Sequence, residues 1–348
     1  MKIAIMAGGT GGHIFPGLAV ADELLKKNIQ VIWLGAIGGM EERLVKQQNI
    51  PIKLLAIKGM RGKGIKGLTT LPFKLIRATW NAAKYFKVER VDAVISMGGY
   101  VAGPGGLAAK LKNIPLLVHE QNSKFGMTNK HLSKWAKKVL TGFDLNGIYQ
   151  SQWIGNPVRE EIENSEKIDH QNDRVNIFIL GGSLGANSLN TKIPELLKPL
   201  LAEDKISVKH QCGKNNVLKT KENYNTNNNL EIFEFIEDMS AAYRWADFVI
   251  ARAGALTIAE INAVGLAAIF VPYPYAVDDH QTENAKNIVN NHAGYIWQEK
   301  QSIENLQKFI NNLVSNKTLR QEMAENSKKL HKKHSARRVA EICLEMLA

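Results

Sequence analysis

Four times in this chain an apolar, strand-like run breaks into glycine at the point where a helix should begin. Ile3-Ala4-Ile5-Met6 runs into Gly8-Gly9-Thr10-Gly11-Gly12-His13, and Ala93-Val94-Ile95 into Gly98-Gly99-Tyr100. Ile177-Phe178-Ile179-Leu180 runs into Gly181-Gly182-Ser183-Leu184-Gly185, and Phe248-Val249-Ile250 into Arg252-Ala253-Gly254-Ala255. Glycine lets a backbone turn sharply and approach a ligand, and a helix starting there offers unpaired N–H groups at its positive end. The chemistry this suits is phosphate binding. The nucleotide fingerprints G-x-G-x-x-G and G-x-x-x-x-G-K-[ST] are both unmet, since Ile14 stands where the third glycine of the first would fall. No acidic residue follows Trp33-Leu34-Gly35 to hold a dinucleotide ribose, and there is no Asp-x-Asp for a metal-assisted sugar-nucleotide site. The expectation is therefore a phosphate site without cofactor or metal, in which helix starts and N–H groups do a cation's work.

The elements around these loops alternate. Strands are expected near 2–6, 31–34, 52–55, 92–96, 115–118 and 138–141, with a helix from about Pro16 to Asn28. After a linker at Trp153-Ile154-Gly155-Asn156-Pro157 the plan repeats. Strands are expected near 175–180, 206–211, 231–235, 247–250 and 268–271, and helices near 186–202, 255–265, 280–291, 302–313 and 317–332. Such alternation predicts two α/β, doubly wound domains, residues 1–160 and 161–334, with two similar halves facing a central cleft. A last amphipathic helix from about 335 puts Val339, Ile342, Cys343 and Met346 on one side.

Composition sets the context. The 348 residues carry 45 Lys+Arg against 33 Asp+Glu, a net charge of +12. From Arg43 to Lys87 eleven basic residues meet no acid, and Leu68, Leu71, Phe73, Leu75, Ile76 and Trp80 lie among them. That mixture fits an anionic membrane surface, a nucleic acid, or a plain solvated face over a buried stripe. No run is long and apolar enough for a membrane span or a signal peptide, and two distant cysteines point to a reducing cytosol.

In the order and spacing of its motifs the chain resembles the bacterial glycosyltransferases that add N-acetylglucosamine to the lipid-linked muramyl-peptide precursor of peptidoglycan. The likeness runs from the first strand to the last helix. It rests on the four loops above together with Gly59-Met60-Arg61-Gly62-Lys63-Gly64, His119-Glu120-Gln121-Asn122, Gly155-Asn156-Pro157-Val158-Arg159, Ala255-Leu256-Thr257 and Asp278-Asp279-His280-Gln281. Two positions depart from the family's habit, with Leu184 where Gln is common and Ala253 where Ser is common.

The resemblance implies a GT-B fold in which helix 335–348 returns to the amino-terminal domain. It also implies inverting transfer from UDP-GlcNAc to lipid I, giving lipid II. The donor is implied to sit on the carboxy-terminal domain. Ser183 and the N–H groups around Gly185 would hold its diphosphate, and Ala255, Leu256, Thr257, Ile258 and Ala259 would open a helix towards it. Glu260 would take the ribose hydroxyls, the Ile236 backbone the uracil edge and Gln281 the sugar. Arg159 would reach the nucleotide from the linker. Thr10, Gly11 and Gly12 would face a diphosphate of donor, acceptor or both, Asn122 would touch substrate, and Gly98, Gly99 and Tyr100 would serve the acceptor. Taken bare, Glu260 is a helix-dipole partner, Ile236 strand-end core, Gln281 a surface residue, Arg159 half of a salt bridge and Asn122 a turn cap.

For the proton of the attacking hydroxyl, His13 is the first choice of base, because histidine as a type titrates near neutrality. Its place on a phosphate-type loop leaves a diphosphate-ligand role open, and Glu120 is the alternative base. Lys66, Leu71, Phe73, Lys74, Arg77 and Trp80 are expected to meet the membrane. The implied setting is peripheral, on the cytoplasmic face of the inner membrane, beside other cell-wall synthesis proteins and without nucleic acid. Rival readings are a soluble UDP-N-acetylglucosamine epimerase and a nucleic-acid-binding protein. The first has no use for the acid-free basic stretch, the second none for Glu260 and four glycine loops.

Overall fold

The computed structural model describes residues 1–57, 71–145, 147–168, 174–182, 185–276 and 279–348. The chain forms two compact units, Met1–Arg159 with Lys332–Ala348, and Glu160–His331. Each is built on one parallel sheet among the described residues. The first sheet has seven strands in the order β3-β2-β1-β4-β5-β6-β7. In chain order these are Lys2–Ala7, Gln30–Ala36, Ile52–Leu55, Ala93–Gly98, Leu116–Glu120, Lys138–Thr141 and Gln152–Trp153. The second has six in the order β10-β9-β8-β11-β12-β13. Its strands are Val175–Leu180, Ile206–Gln211, Leu230–Phe233, Phe248–Ala251, Ala267–Phe270 and Gly294–Ile296. Every ladder is parallel.

The strands that carry the glycine loops are short, mainly apolar runs because both faces are covered. β4 and β8 are buried at every residue. In the first unit, one face packs Ile3, Ile5, Trp33, Ile95 and Leu117 against Val20 and Leu24 of the helix Gly11–Lys26. The last helix, Ser335–Glu345, closes that cluster with Val339, Ile342 and Cys343. The other face packs Ala4, Met6 and Val94 against Ala78, Ala82 and Phe86 of the helix Leu71–Glu89. Gly17 lets the first helix lie on Trp33, since a Cβ there would sit 2.7 Å from the Trp33 ring. In the second unit Ile177, Ile179, Phe248, Ile250 and Ile269 pack against Leu189, Ile193 and Leu197.

Three sequence expectations change. The first helix begins at Gly11, five residues before Pro16, because the glycine loop itself winds into its first turn: His13 and Ile14 N–H both donate to Thr10 O, at 3.1 and 3.2 Å. Trp153–Pro157 is not a loose linker. Trp153 ends the seventh strand and Ile154–Val158 are buried in the first unit. Ser335 Oγ donates to Ile154 O at 2.7 Å and Asn156 Nδ2 to Gln121 O at 3.0 Å, so tertiary bonds hold a segment whose Gly-Asn-Pro composition suggests a turn. Finally, the helix expected over 317–332 stops at Lys329, and His331 beyond it bonds Glu163 at 2.8 Å.

Candidate active site

In an open parallel sheet the ligand crevice lies outside the carboxyl ends of the strands, where the strand order reverses. That point falls between β1 and β4 in the first unit and between β8 and β11 in the second. These are the four strands that run into glycine.

In the first unit the two loops are packed backbone to backbone. Gly99 has φ +82°, and a Cβ there would run into the Gly8 carbonyl oxygen. The Tyr100 ring lies over Gly9. Thr10 caps the helix in extended conformation without spending its side chain, and the helical ladder begins only at His13 and Ile14. The N–H groups of Gly11 and Gly12 therefore precede it. Beneath the loop lies Glu41, fully buried, which accepts from Gly9 N–H at 3.2 Å and Ala36 N–H at 2.9 Å. Gly8, Gly35 and Gly39 leave the room its carboxylate occupies. Sequence reasoning missed Glu41, because an acid in a helix's first turn looks like an ordinary dipole partner.

His13 Nδ1 lies 3.0 Å from Gln121 Oε1. Gln121 Nε2 lies 3.1 Å from His119 Nδ1 and donates to His119 O at 3.1 Å, and His119 Nε2 lies 3.0 Å from Gly155 O. His119, which in the sequence also reads as a buried strand-end histidine, is buried near the end of the fifth strand, and that burial pushes its pKa down to about 4. Glu120 is spent in another direction. Its Oε1 accepts from Asn122 N and Nδ2, both at 3.1 Å, and its Oε2 from Gly126 N and Asn129 Nδ2, both at 3.0 Å. Asn129, also missed, passes the network to Ser96, whose hydroxyl accepts from Gly98 N–H at 3.3 Å. At the end of the unit the Arg159 guanidinium stacks over Phe15, 5.1 Å from its ring centre.

In the second unit Ser183 and Leu184 lie outside the described residues, as does Asp278. Gly185 N–H closes a turn onto Gly182 O at 3.0 Å, so it is spent within the loop. The helix Asn187–Ala202 then starts with no side-chain cap. Across the switch point, Gly254 leads the helix Ala255–Val264 without a side-chain cap. Its ladder begins with Ile258 N–H on Gly254 O at 3.0 Å, so the N–H groups of Ala255, Leu256 and Thr257 precede it, while Ile258 and Ala259 lie in the following turn. Glu260, only 4% exposed, accepts from the buried Tyr243 hydroxyl at 3.0 Å. Ile236 N–H donates to Gln211 Oε1 at 3.0 Å, so the donor that a base edge would use is engaged. Gln281 Oε1 accepts from Tyr273 N–H at 2.9 Å. Arg252, beyond sequence reasoning, ties the two switch-point loops together. It bonds Ser188 Oγ at 3.0 Å and Glu299 Oε1 at 2.7 Å, and lies 5.5 Å from the Tyr273 ring centre. Burial pushes the Glu299 carboxyl up, but bonds from Ser188 and Arg252 outweigh it and hold it low.

His210 in the second unit is buried between Tyr224 and Asn190, and burial pushes its pKa down to about 3. An unfolded histidine takes up its proton near pH 6.5, while the folded His119 and His210 do so only near 4 and 3. The folded state binds fewer protons in that interval. Their contribution is therefore full above about pH 6.5 and is lost as the pH falls through it towards 4 and 3. Each tenfold change in proton affinity corresponds to about 1.4 kcal/mol, so several kcal/mol are at stake. Calorimetric melting from pH 7.5 to 4.5 should show a steadily falling Tm, and a constant Tm over that range would contradict the two burials.

Two doubly wound sheets, each with uncapped helix starts and glycine loops at its switch point, define the class as a two-unit α/β protein with phosphate-type crevices. Comparison with known proteins specifies the class. Residues 3–141 match the glycosyltransferase family 28 N-terminal domain and residues 176–339 the family 28 C-terminal domain. The UDP-N-acetylglucosamine--N-acetylmuramyl-(pentapeptide) pyrophosphoryl-undecaprenol N-acetylglucosamine transferase of Neisseria gonorrhoeae is 46% identical, over 99% of this chain and 98% of its own. The same-named protein of Shewanella denitrificans is 43% identical, over 99% and 97%. The crystal structure of Acinetobacter baumannii MurG superposes with a TM-score of 0.84 at 41% identity, covering 99% of both chains. The chain belongs to the MurG family of N-acetylglucosamine transferases, within glycosyltransferase family 28.

Proposed function

We propose that this chain transfers N-acetylglucosamine from UDP-GlcNAc to undecaprenyl-pyrophosphoryl-N-acetylmuramyl-pentapeptide (lipid I), giving lipid II for peptidoglycan synthesis. The observation that carries this is the 46% identity, across 99% of the chain, to a relative bearing that activity in its name. Phosphate-type loops at both switch points supply the matching chemistry.

On this reading the second unit holds the donor. The N–H groups of Ala255, Leu256 and Thr257, and the helix start after Gly185 with Ser183, receive the diphosphate. Glu260, held by Tyr243, takes the ribose hydroxyls. The Ile236 carbonyl takes the uracil N3–H, and the Gln281 amide meets the sugar. The first unit serves the acceptor through Gly98, Gly99 and Tyr100. Thr10, Gly11, Gly12, Asn122 and Arg159 add diphosphate and substrate contacts. The reaction is one displacement with inversion. The acceptor oxygen bonds to the anomeric carbon as that carbon's bond to the UDP oxygen breaks, and the hydroxyl proton passes to His13. Glu120 is the poorer base, because both its oxygens are already occupied by backbone and amide donors.

The enzyme works as a peripheral protein on the cytoplasmic face of the cell membrane, where its lipid-linked acceptor lies. No helix among the described residues is long and apolar enough to cross a membrane. The docking surface is the helix Leu71–Glu89. Lys66 lies outside the described residues, and the Leu71 side chain is likewise not described.

Titration calorimetry with UDP-GlcNAc tests the donor site. Glu260→Ala should weaken binding by roughly ten- to hundredfold, since hydrogen bonds to a charged group contribute about 1.5–3 kcal/mol. It also removes an acceptor from the buried Tyr243 hydroxyl. Glu260→Gln, which retains one, should therefore keep the parent's Tm while binding less tightly. Unchanged affinity in both variants would remove Glu260 from the site.

A further inference from the structure

Behind His13, read above as the base, runs a chain of side chains whose three links admit one arrangement of protons. His119 Nε2 faces the Gly155 carbonyl oxygen at 3.0 Å, an acceptor only, so Nε2 carries the hydrogen. Buried His119 is neutral, its pKa pushed down to about 4, so its Nδ1 is a bare lone pair. That lone pair needs a donor, and the Gln121 amide nitrogen supplies it at 3.1 Å. The same nitrogen donates to His119 O at 3.1 Å, which fixes the amide's orientation independently, because a flipped amide would set oxygen against oxygen. Gln121 Oε1 is thereby turned to His13 Nδ1 at 3.0 Å, and an acceptor there requires Nδ1 to be protonated.

We propose, resting on the reading of His13 as the base, that Gln121 is a positioning residue that holds His13 in its Nδ1–H tautomer and so presents Nε2 as the nitrogen that takes the acceptor's proton. The Gln121 amide is 1% exposed, so water does not compete for it. When Nε2 accepts the proton, Nδ1–H stays on Gln121 Oε1. A neutral amide takes no proton, so the charge remains on the imidazolium. His119 and Gly155 act one step further back by setting which end of the amide faces His13. Gly155 belongs to the buried segment against the last helix, so that helix's packing reaches the base through three hydrogen bonds.

The test uses the full chain with 15N-histidine, in long-range proton–nitrogen correlation spectra above pH 8, with the His13 signals assigned from their loss in His13→Asn. The expected spectrum of neutral His13 has a protonated Nδ1 and a bare Nε2. Gln121→Leu should release the tautomer, giving mixed or Nε2–H signals, and lower kcat at least roughly tenfold with KM for UDP-GlcNAc within about twofold. A general base contributes roughly 10²–10⁴, which bounds the loss. Gln121→Glu keeps an acceptor on His13 Nδ1–H, and with the oxygen that faces His119 protonated so that it donates as the amide nitrogen does, it should restore the tautomer and part of kcat. A parent spectrum with Nε2–H, or a folded Gln121→Leu retaining both the Nδ1–H tautomer and full kcat, overturns the proposal. Should Gln121→Leu fail to fold, the parent and Gln121→Glu spectra still decide. Full turnover in His13→Ala with the Nδ1–H spectrum intact in the parent would instead remove the base reading and leave the tautomer assignment standing.

Discussion

Replacing His13 by alanine should lower kcat by roughly 10²–10⁴, the range that a positioned general base contributes. The affinity for UDP-GlcNAc should change little. Most of the donor contacts assigned above (Ala255, Leu256, Thr257, Glu260, Ile236 and Gln281) lie in the second unit, whereas His13 sits on the first-unit loop with its Nδ1 committed to Gln121. Added imidazole should restore part of the rate by entering the space the side chain leaves. The alternative role, a ligand for diphosphate, predicts a different split, with a rise in KM, a small fall in kcat and no rescue by imidazole. Steady-state kinetics with lipid acceptor in detergent separates the two.

The second large effect concerns the membrane. In the helix Leu71–Glu89, Ala78, Ala82, Ala83 and Phe86 face the core. Phe73, Ile76 and Trp80 are 77%, 66% and 65% exposed, a turn or so apart on the outer side. Lys74, Arg77, Lys84 and Lys87 are exposed on the same helix, and Lys84 lies 5.7 Å from the Trp80 ring centre. A monomer surface rarely leaves so many large apolar groups together among cations without a partner. Apolar side chains among basic ones are what an anionic interface takes up. Each basic residue near such a surface contributes about 1 kcal/mol. Lys74→Glu/Arg77→Glu/Lys84→Glu should therefore weaken binding to phosphatidylglycerol vesicles by roughly a hundredfold or more at low salt. Parent binding should itself decline with added salt as the charges are screened. Sedimentation that recovers parent and variant equally would return this helix to a solvated face.

The fold was legible because its signals are local. A fully buried parallel strand must be a short apolar run, and the turn at its end needs glycine, so strand, loop and helix announce themselves within a dozen residues. The switch-point loops around Gly11, Gly98, Gly185 and Gly254 were found this way. What stayed hidden depends on partners far apart in the chain. Gln121 meets His13 across 108 positions, and Gly9 meets Glu41 across 32. Neither spacing leaves a pattern in the sequence. Tyr243 beneath Glu260, and Gln211 on the Ile236 N–H, follow from neighbouring strands and helices rather than from any motif. The Trp153–Pro157 segment was misjudged for the same reason, since residues of the fifth strand and the last helix bury a stretch whose own composition favours a turn.

Transfer of the sugar itself is open to one direct measurement. The full-length protein is incubated with UDP-GlcNAc labelled in the sugar, with undecaprenyl-pyrophosphoryl-N-acetylmuramyl-pentapeptide as acceptor, and the lipid fraction is weighed by mass spectrometry. The expected result is an acceptor heavier by one N-acetylhexosamine, the label moving into the lipid, and one UDP released for each sugar transferred. Conversion of UDP-GlcNAc to an isomeric sugar nucleotide with the lipid unchanged, or no change in either substrate, would contradict it.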